Sequence, residues 1–301
     1  MLSEPEFTVG IEEEYMLVDV ESRELARHVP DSLFAECSRQ LGDRVAREFM
    51  QCQIEVGTGV CQTVSEAQAE LVELREGVQA IAQKYDLALL AASTHPFSRP
   101  TDQAHTRINR YDRLAVDLQA VVRRLMICGM HVHVGVSDDD LRIEMMGQAT
   151  YILPHLLALS TSSPFWYANN TGMKSYRLSV WDEMPRTGLP PVFESYAEYQ
   201  RHVDVLVNVG IIEDATKLWW DIRPSARFPT LEVRISDVCT HVADAACITA
   251  LYQCWLRMLY RLRRDNQRWR RYHTMLIDEN RWRAHRYGLD GGLIDFGKTE
   301  I

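Results

Sequence analysis

The sequence predicts an α+β fold, an antiparallel β-sheet with helices packed on one of its faces. Segments of period-two alternation mingle with segments of helical periodicity, without the regular strand–helix–strand rhythm of a parallel sheet. Several of the strands also carry ionisable residues at i and i+2 with apolar residues between them, so one face of the sheet is polar and the other apolar. No low-complexity linker or internal repeat divides the 301 residues, and the chain reads as a single domain over 1–301.

The elements follow in order. Residues 7–20 read as a strand and 44–57 as another, with Ala46, Met50, Cys52, Ile54 and Val56 alternating against Arg47, Gln51, Gln53 and Glu55. The intervening "PDSLFAECSRQLGD" supplies a short helix. From Ser65 a capping box with Gln68 opens a long helix whose Leu71, Leu74, Val78 and Ile81 share a face. A strand at 87–93 ends in "THPF", and residues 107–125 read as helical. In 129–137, "GMHVHVGVS", Val132, Val134 and Val136 take one face and His131 and His133 the other. A helix over 139–161 is expected to bend near Pro154. The Pro- and Gly-punctuated segment 163–192 is longer than a connector needs to be. A helix at 194–209, a strand pair within 217–237 and a helix at 242–263 complete the chain.

Composition bounds the function. A formal charge of −9 disfavours nucleic acid as a partner, and the basic run from Arg261 to Arg271 reads as a solvated helix end. The seven cysteines are odd in number and never form a CxxC pair, which fits a reducing cytoplasm and argues against structural zinc. The N-terminus has no signal-peptide pattern and no run suits a membrane span. "GLIDFGKT", residues 292–299, satisfies the P-loop pattern in form, yet no helix can follow it to receive phosphates, and it is rejected. No GxSxG elbow or Rossmann glycine triplet is present.

The polar face is the candidate site. Glu12 and Glu14, His131 and His133, Asp221 and Arg223, and Glu232 and Arg234 are i, i+2 pairs, and Glu55 is placed like them beside Ile54 and Val56. Clustered carboxylates repel unless cations intervene, and oxygen-rich sites suit Mg²⁺ or Mn²⁺ bridging to nucleotide phosphates. A solvated sheet face is the plainer alternative. A second alternative is a metal-dependent hydrolase using His131, His133 and Asp237, and a third a nucleotide-binding regulator without catalysis. His95 suits either a core position or the cavity wall. Trp219 and Trp220, being adjacent, point to opposite sides of their strand, so one of them borders the site.

Taken together, "FTVGIEEEYMLVD", "STHPF", "INRYDRL", "GMHVHVGV", "SSPFW", "SYRLSVWDEMPRTGLPP", "WWDIRPSARFPTLEVRISD" and "ENRWRAHRYGLDG" resemble the carboxylate–amine ligases of the glutamate–cysteine ligase type 2 family, including its YbdK subfamily. They run in order from residue 7 to about 291. The resemblance implies a glutamine synthetase-like catalytic sheet curved around ATP and divalent ions. It also implies ligation of L-glutamate to an amine, L-cysteine in the usual case, in a cytoplasmic enzyme expected to be a homodimer. By the same resemblance Glu12, Glu14, Glu55, His131 and Glu232 hold Mg²⁺ or Mn²⁺, and Arg234 and Arg223 act in catalysis. Arg234 and Trp220 also meet the nucleotide, and Arg177, Tyr176, His95 and Asn109 bind substrate. Chains of the family usually continue for several tens of residues past "RYGLDGGLID". The expectation is therefore one catalytic domain lacking the C-terminal portion of the family fold.

Overall fold

In a computed structural model of the chain, residues 4–99, 103–106, 116, 119, 121–295 and 298–300 are described. The central sheet is built on one long strand, β1 (Val9–Asp19), followed in the chain by β2 (Val45–Arg47), β3 (Gln53–Gly57), β4 (Leu87–Leu90), β5 (Met130–Gly135), β8 (Ile222–Pro224) and β9 (Thr230–Val233). Strand order is β2-β3-β1-β5-β9-β8, and every pairing is antiparallel. β5 and β4 take successive halves of the same edge of β1, through Val9–Glu13 and Met16–Asp19. A short hairpin, β6 (Phe165–Trp166) with β7 (Asn169–Asn170), lies outside this sheet.

The helices are α1 (Asp31–Leu41), α2 (Val64–Ala82), α3 (Asp139–Ala149), α4 (Leu153–Ser160), α5 (Tyr176–Trp181), α6 (Tyr196–Asn208), α7 (Val242–Arg264) and α8 (Thr274–Tyr287). α2 and α7 pack on each other and on β1, and α7 also covers β5. Their Leu71, Leu74, Val78, Ile248, Tyr252 and Leu256 meet the sheet's apolar face of Ile11, Tyr15, Ile54, Val132, Val134, Leu231 and Val233, all of them buried. Each such side chain contributes about 1.5–3 kcal/mol of burial. This layer explains why the sheet can leave its other face polar: one face is enough to hold it.

Several expectations are corrected. The segment 44–57 is two strands, not one: β2 and β3 pair as a hairpin with Val45 opposite Val56, because the chain turns at Gln51–Cys52. The capping box belongs to Thr63 and Glu66, not Ser65 and Gln68; the Thr63 hydroxyl accepts from the Glu66 N–H and the Glu66 carboxylate accepts from the Thr63 N–H. The helix at 139–161 breaks just ahead of Pro154, where a 3₁₀ turn at 150–152 separates α3 from α4. Most of the expected helix at 107–125 lies outside the described residues, apart from a 3₁₀ turn at 122–124. The rejected P-loop stretch contains two strands, β10 (Ile294–Asp295) and β11 (Lys298–Glu300), in a hairpin. Among the described residues no helix is long and apolar enough to cross a membrane.

Candidate active site

Strand parity sorts the three consecutive glutamates. Glu12 and Glu14 point to the polar face, while Glu13, fully buried, points back among the helices. There Arg75 of α2 donates to both Glu13 carboxylate oxygens, through Nε at 2.9 Å and a terminal nitrogen at 2.7 and 2.8 Å, and to the carbonyls of Cys239 and Thr240. The Tyr15 hydroxyl also donates to Glu13. This ion pair ties β1 to α2 and to the chain beyond β9.

On the polar face register does the assembly. Glu12 stands opposite His131, Glu14 opposite Glu55, and Glu232 opposite both His133 and Arg223. These side chains line one cavity of about 400 Å³, with Arg177, Arg234, Trp181 and Trp219 on its walls. Two groups of donors result, Glu12–His131–Glu232 and Glu14–Glu48–Glu55, each offering ligand atoms within 4.8 Å of one another.

The groups differ electrically. Burial alone would raise the Glu12 carboxyl, but its contacts with His131 and His133 pull it well below the usual carboxylate range. Glu232 is held low in the same way, against its burial, by Arg234 and Arg223. His131 is pushed down to about 4 by burial and by the nearby Arg234 charge, so its imidazole is neutral and able to ligate. In the second group burial pushes Glu14 up to about 7, with Arg177 opposing and Glu55 adding to the rise. Burial and the neighbouring Glu48 carry Glu55 well above its ordinary value. A half-buried triad of carboxylates is an oxygen-only donor set of the kind hard divalent cations take, and the residues fit Mg²⁺ or Mn²⁺.

The arginines are fixed before any ligand arrives. Arg223 donates to both oxygens of Glu232, at 2.9 and 3.2 Å, and to the carbonyls of Thr216 and Leu218. These four hydrogen bonds hold it beside Glu232, and it lines the cavity with that carboxylate. Arg234 donates to Glu232, and its buried Nε has no hydrogen-bond partner among the described residues. Arg177 donates to the carbonyls of Ile235 and Arg234 and leaves a buried Nε in the same condition. Both guanidinium groups lie near the Trp181 ring, at 5.8 and 6.0 Å. Gly129 makes this possible, since a Cβ there would meet an Arg177 terminal nitrogen at 2.4 Å; its own N–H donates to Glu14.

Other expected residues fall elsewhere. His95 is buried in a turn, its Nδ1 accepting from the N–H groups of Phe97 and Ser98 and its Nε2 facing the Arg23 carbonyl, so it shapes a loop and does not line the cavity. Trp220 packs on Phe193 and Tyr199, and its neighbour Trp219 borders the cavity instead. Tyr176 packs at a tilt on Trp166 outside the cavity lining, and Asn109 lies outside the described residues. Asp221 turns away to pair with Arg281 of α8. Asp237 accepts from the Ser162 N–H and the Ser163 and Ser175 hydroxyls, and among the described residues it is not grouped with His131 and His133 as the hydrolase alternative expects. Glu48 and Trp181 were missed: Glu48 lies in the hairpin turn region where no periodicity applies, and Trp181 is in the non-periodic stretch before Pro185.

The fold and site together define a sheet-floored, acid-lined cavity with the ligands for divalent cations. The profile of glutamate-cysteine ligase family 2 (GCS2) matches residues 8–300, and the chain belongs to that family. Relatives described as "Putative glutamate--cysteine ligase 2" are 60% identical in Rhodospirillum rubrum, over 100% of this chain and 78% of the relative, and 56% identical in Jannaschia sp., over 99% and 79%. Among solved structures, a glutamate–cysteine ligase from Francisella tularensis in complex with AMP superposes with a TM-score of 0.70 at 16% identity, covering 100% of this chain and 76% of that one. A bifunctional glutathione synthetase from Pasteurella multocida also gives 0.70, at 14% identity over 94% of this chain and 42% of that one. At such identities the likeness concerns the fold, and it agrees with the α+β antiparallel architecture.

Proposed function

We propose that the chain is an ATP-dependent ligase joining the side-chain carboxylate of L-glutamate to an amine, L-cysteine in the first instance, through an acyl phosphate. The observation that carries this reading is the pairing of two groups of potential metal ligands with two anchored arginines around one cavity. The family membership and the names of the relatives support the choice of substrates.

Divalent ions held by Glu12, His131 and Glu232 and by Glu14, Glu48 and Glu55 would offset the charge of a nucleotide triphosphate. Arg177 provides a fixed cation for the amino-acid carboxylate, and its Nε, without a partner among the described residues, is a donor such an anion would satisfy. The glutamate side-chain oxygen attacks the terminal phosphorus and ADP leaves with the bridging oxygen. Arg234, already oriented by Glu232, directs donors at the oxygens on which charge develops. The amine nitrogen then attacks the acyl carbon, the C–O bond to phosphate breaks, and the amine's proton passes to the departing phosphate or to solvent.

The test is ADP release with magnesium, ATP, glutamate and a panel of amines including cysteine, with the ligated product weighed by mass spectrometry. A glutamyl–amine product formed one for one with ADP is expected. ADP release no greater with any pair than with ATP alone would end the proposal.

A further inference from the structure

We infer that Phe228, on the turn between β8 and β9, is the platform on which the nucleotide's base stacks, and that the base lies at the end of the cavity opposite Arg177. The inference rests on the reading of the cavity as an ATP site and adds its direction and a binding residue.

Phe228 lines the cavity yet is 52% exposed, so its ring forms part of the cavity's mouth. Its ring plane is perpendicular to that of His133, with centroids 6.0 Å apart and planes at 88°, and its exposure leaves ring surface open to solvent. The turn that carries it is stiff. The Ser225 hydroxyl accepts from the N–H groups of Arg227 and Phe228, the Ser225 N–H donates to the Thr230 carbonyl, and the Pro229 carbonyl accepts from Val136. A ring held in place at a mouth is ready to stack at little ordering cost.

Register sets the direction. Along β1, Gly10 pairs with His133, Glu12 with His131, and Glu14 receives the Gly129 N–H, beside which lies Arg177. The cavity therefore passes from Phe228 and His133, through the Glu12–His131–Glu232 group, to Glu14 and Arg177, over about 14 Å of strand. Arg177 marks the end for a small carboxylate, and the Glu12–His131–Glu232 group holds the middle, where phosphates would be neutralised. A heterocycle at the far end of a triphosphate then reaches the remaining end, where the exposed aromatic ring is.

The experiment is calorimetric binding of a non-hydrolysable ATP analogue and, separately, of inorganic tripolyphosphate, each with Mg²⁺, to the full chain. Phe228→Ala is expected to weaken the analogue about tenfold while leaving tripolyphosphate unchanged, and Phe228→Trp to restore binding. Because the ring is half exposed, the melting temperature should stay near that of the wild type. Equal affinity of Phe228→Ala and wild type for the analogue overturns the inference, as does an equal loss for both ligands. Stacking at Phe228 without ADP formation with glutamate and any amine would sustain the inference while defeating the ligase reading. A wild-type chain that binds no analogue defeats both.

Discussion

Glu12 and Glu232 lie on strands that do not touch, β1 and β9, and meet across His131 of the strand between them, with ligand atoms of all three within 4.8 Å. Three consecutive strands of an antiparallel sheet thus contribute one donor each, at positions set by hydrogen-bond register rather than by loop conformation. A site built this way is as rigid as the sheet itself.

Rigid clustering of acids has a cost that mutation should reveal. Glu55 is half-buried beside Glu48 and Glu14, with its carboxyl raised well above the ordinary value. Glu55→Gln is expected to stabilise the metal-free protein by about 2 kcal/mol at neutral pH, to abolish most ligation, and to lose much of the rise in melting temperature that magnesium gives the wild type. Thermal denaturation with and without magnesium reads this, and an unstabilised metal-free variant would count against the charge argument.

Arg234→Lys keeps the charge but loses the planar fork held by Glu232. A loss of about 3 kcal/mol in kcat/KM is expected, roughly a hundredfold, the scale of one preorganised donor removed. Steady-state kinetics decides it; a change in KM for ATP with kcat intact would assign Arg234 to binding alone.

Behind the sheet, Arg75 is the partner of a Glu13 carboxylate with no exposure. Arg75→Met alone should destabilise by about 3 kcal/mol, because it leaves a buried acid unpaired, and adding Glu13→Gln should recover most of the loss. Urea denaturation of the two variants measures it; a double variant as unstable as the single one would contradict the pairing.

His285 of α8 is pushed down to about 4 by burial and by the Arg281 charge, with its Nε2 3.0 Å from the Ser179 hydroxyl. Between pH 6.5 and about 4 the unfolded chain takes up a proton here that the folded chain does not, so stability falls as pH falls through that window. The contribution at stake is about 3 kcal/mol. His285→Gln should show a shallower acid limb in a stability-against-pH profile; identical limbs would refute the assignment.

Much of the site was legible because a strand's period of two assigns faces without knowledge of partners. Glu12, Glu14, Glu55, His131, Glu232 and Arg234 were placed together on that ground, and the structure brings them to one cavity. Parity failed where the chain is not a strand: Glu48 near the β2–β3 turn, Asp221 just ahead of β8, and His95 in a turn whose backbone it caps. It also could not say which of Trp219 and Trp220 faces the cavity, since that depends on the phase with which the chain enters β8. The single long strand expected at 44–57 was a hairpin because alternation looks the same on both sides of a tight turn.

The central claim, that two separate groups of side chains each hold a divalent ion beside the nucleotide, is tested most directly by titrating Mn²⁺ into the protein with ATP and following free Mn²⁺ by electron paramagnetic resonance. Two occupied sites are predicted for the wild type, with Glu12→Gln and Glu55→Gln each weakening a different one. Uptake that is the same in all three proteins, or absent from the wild type, would contradict the account.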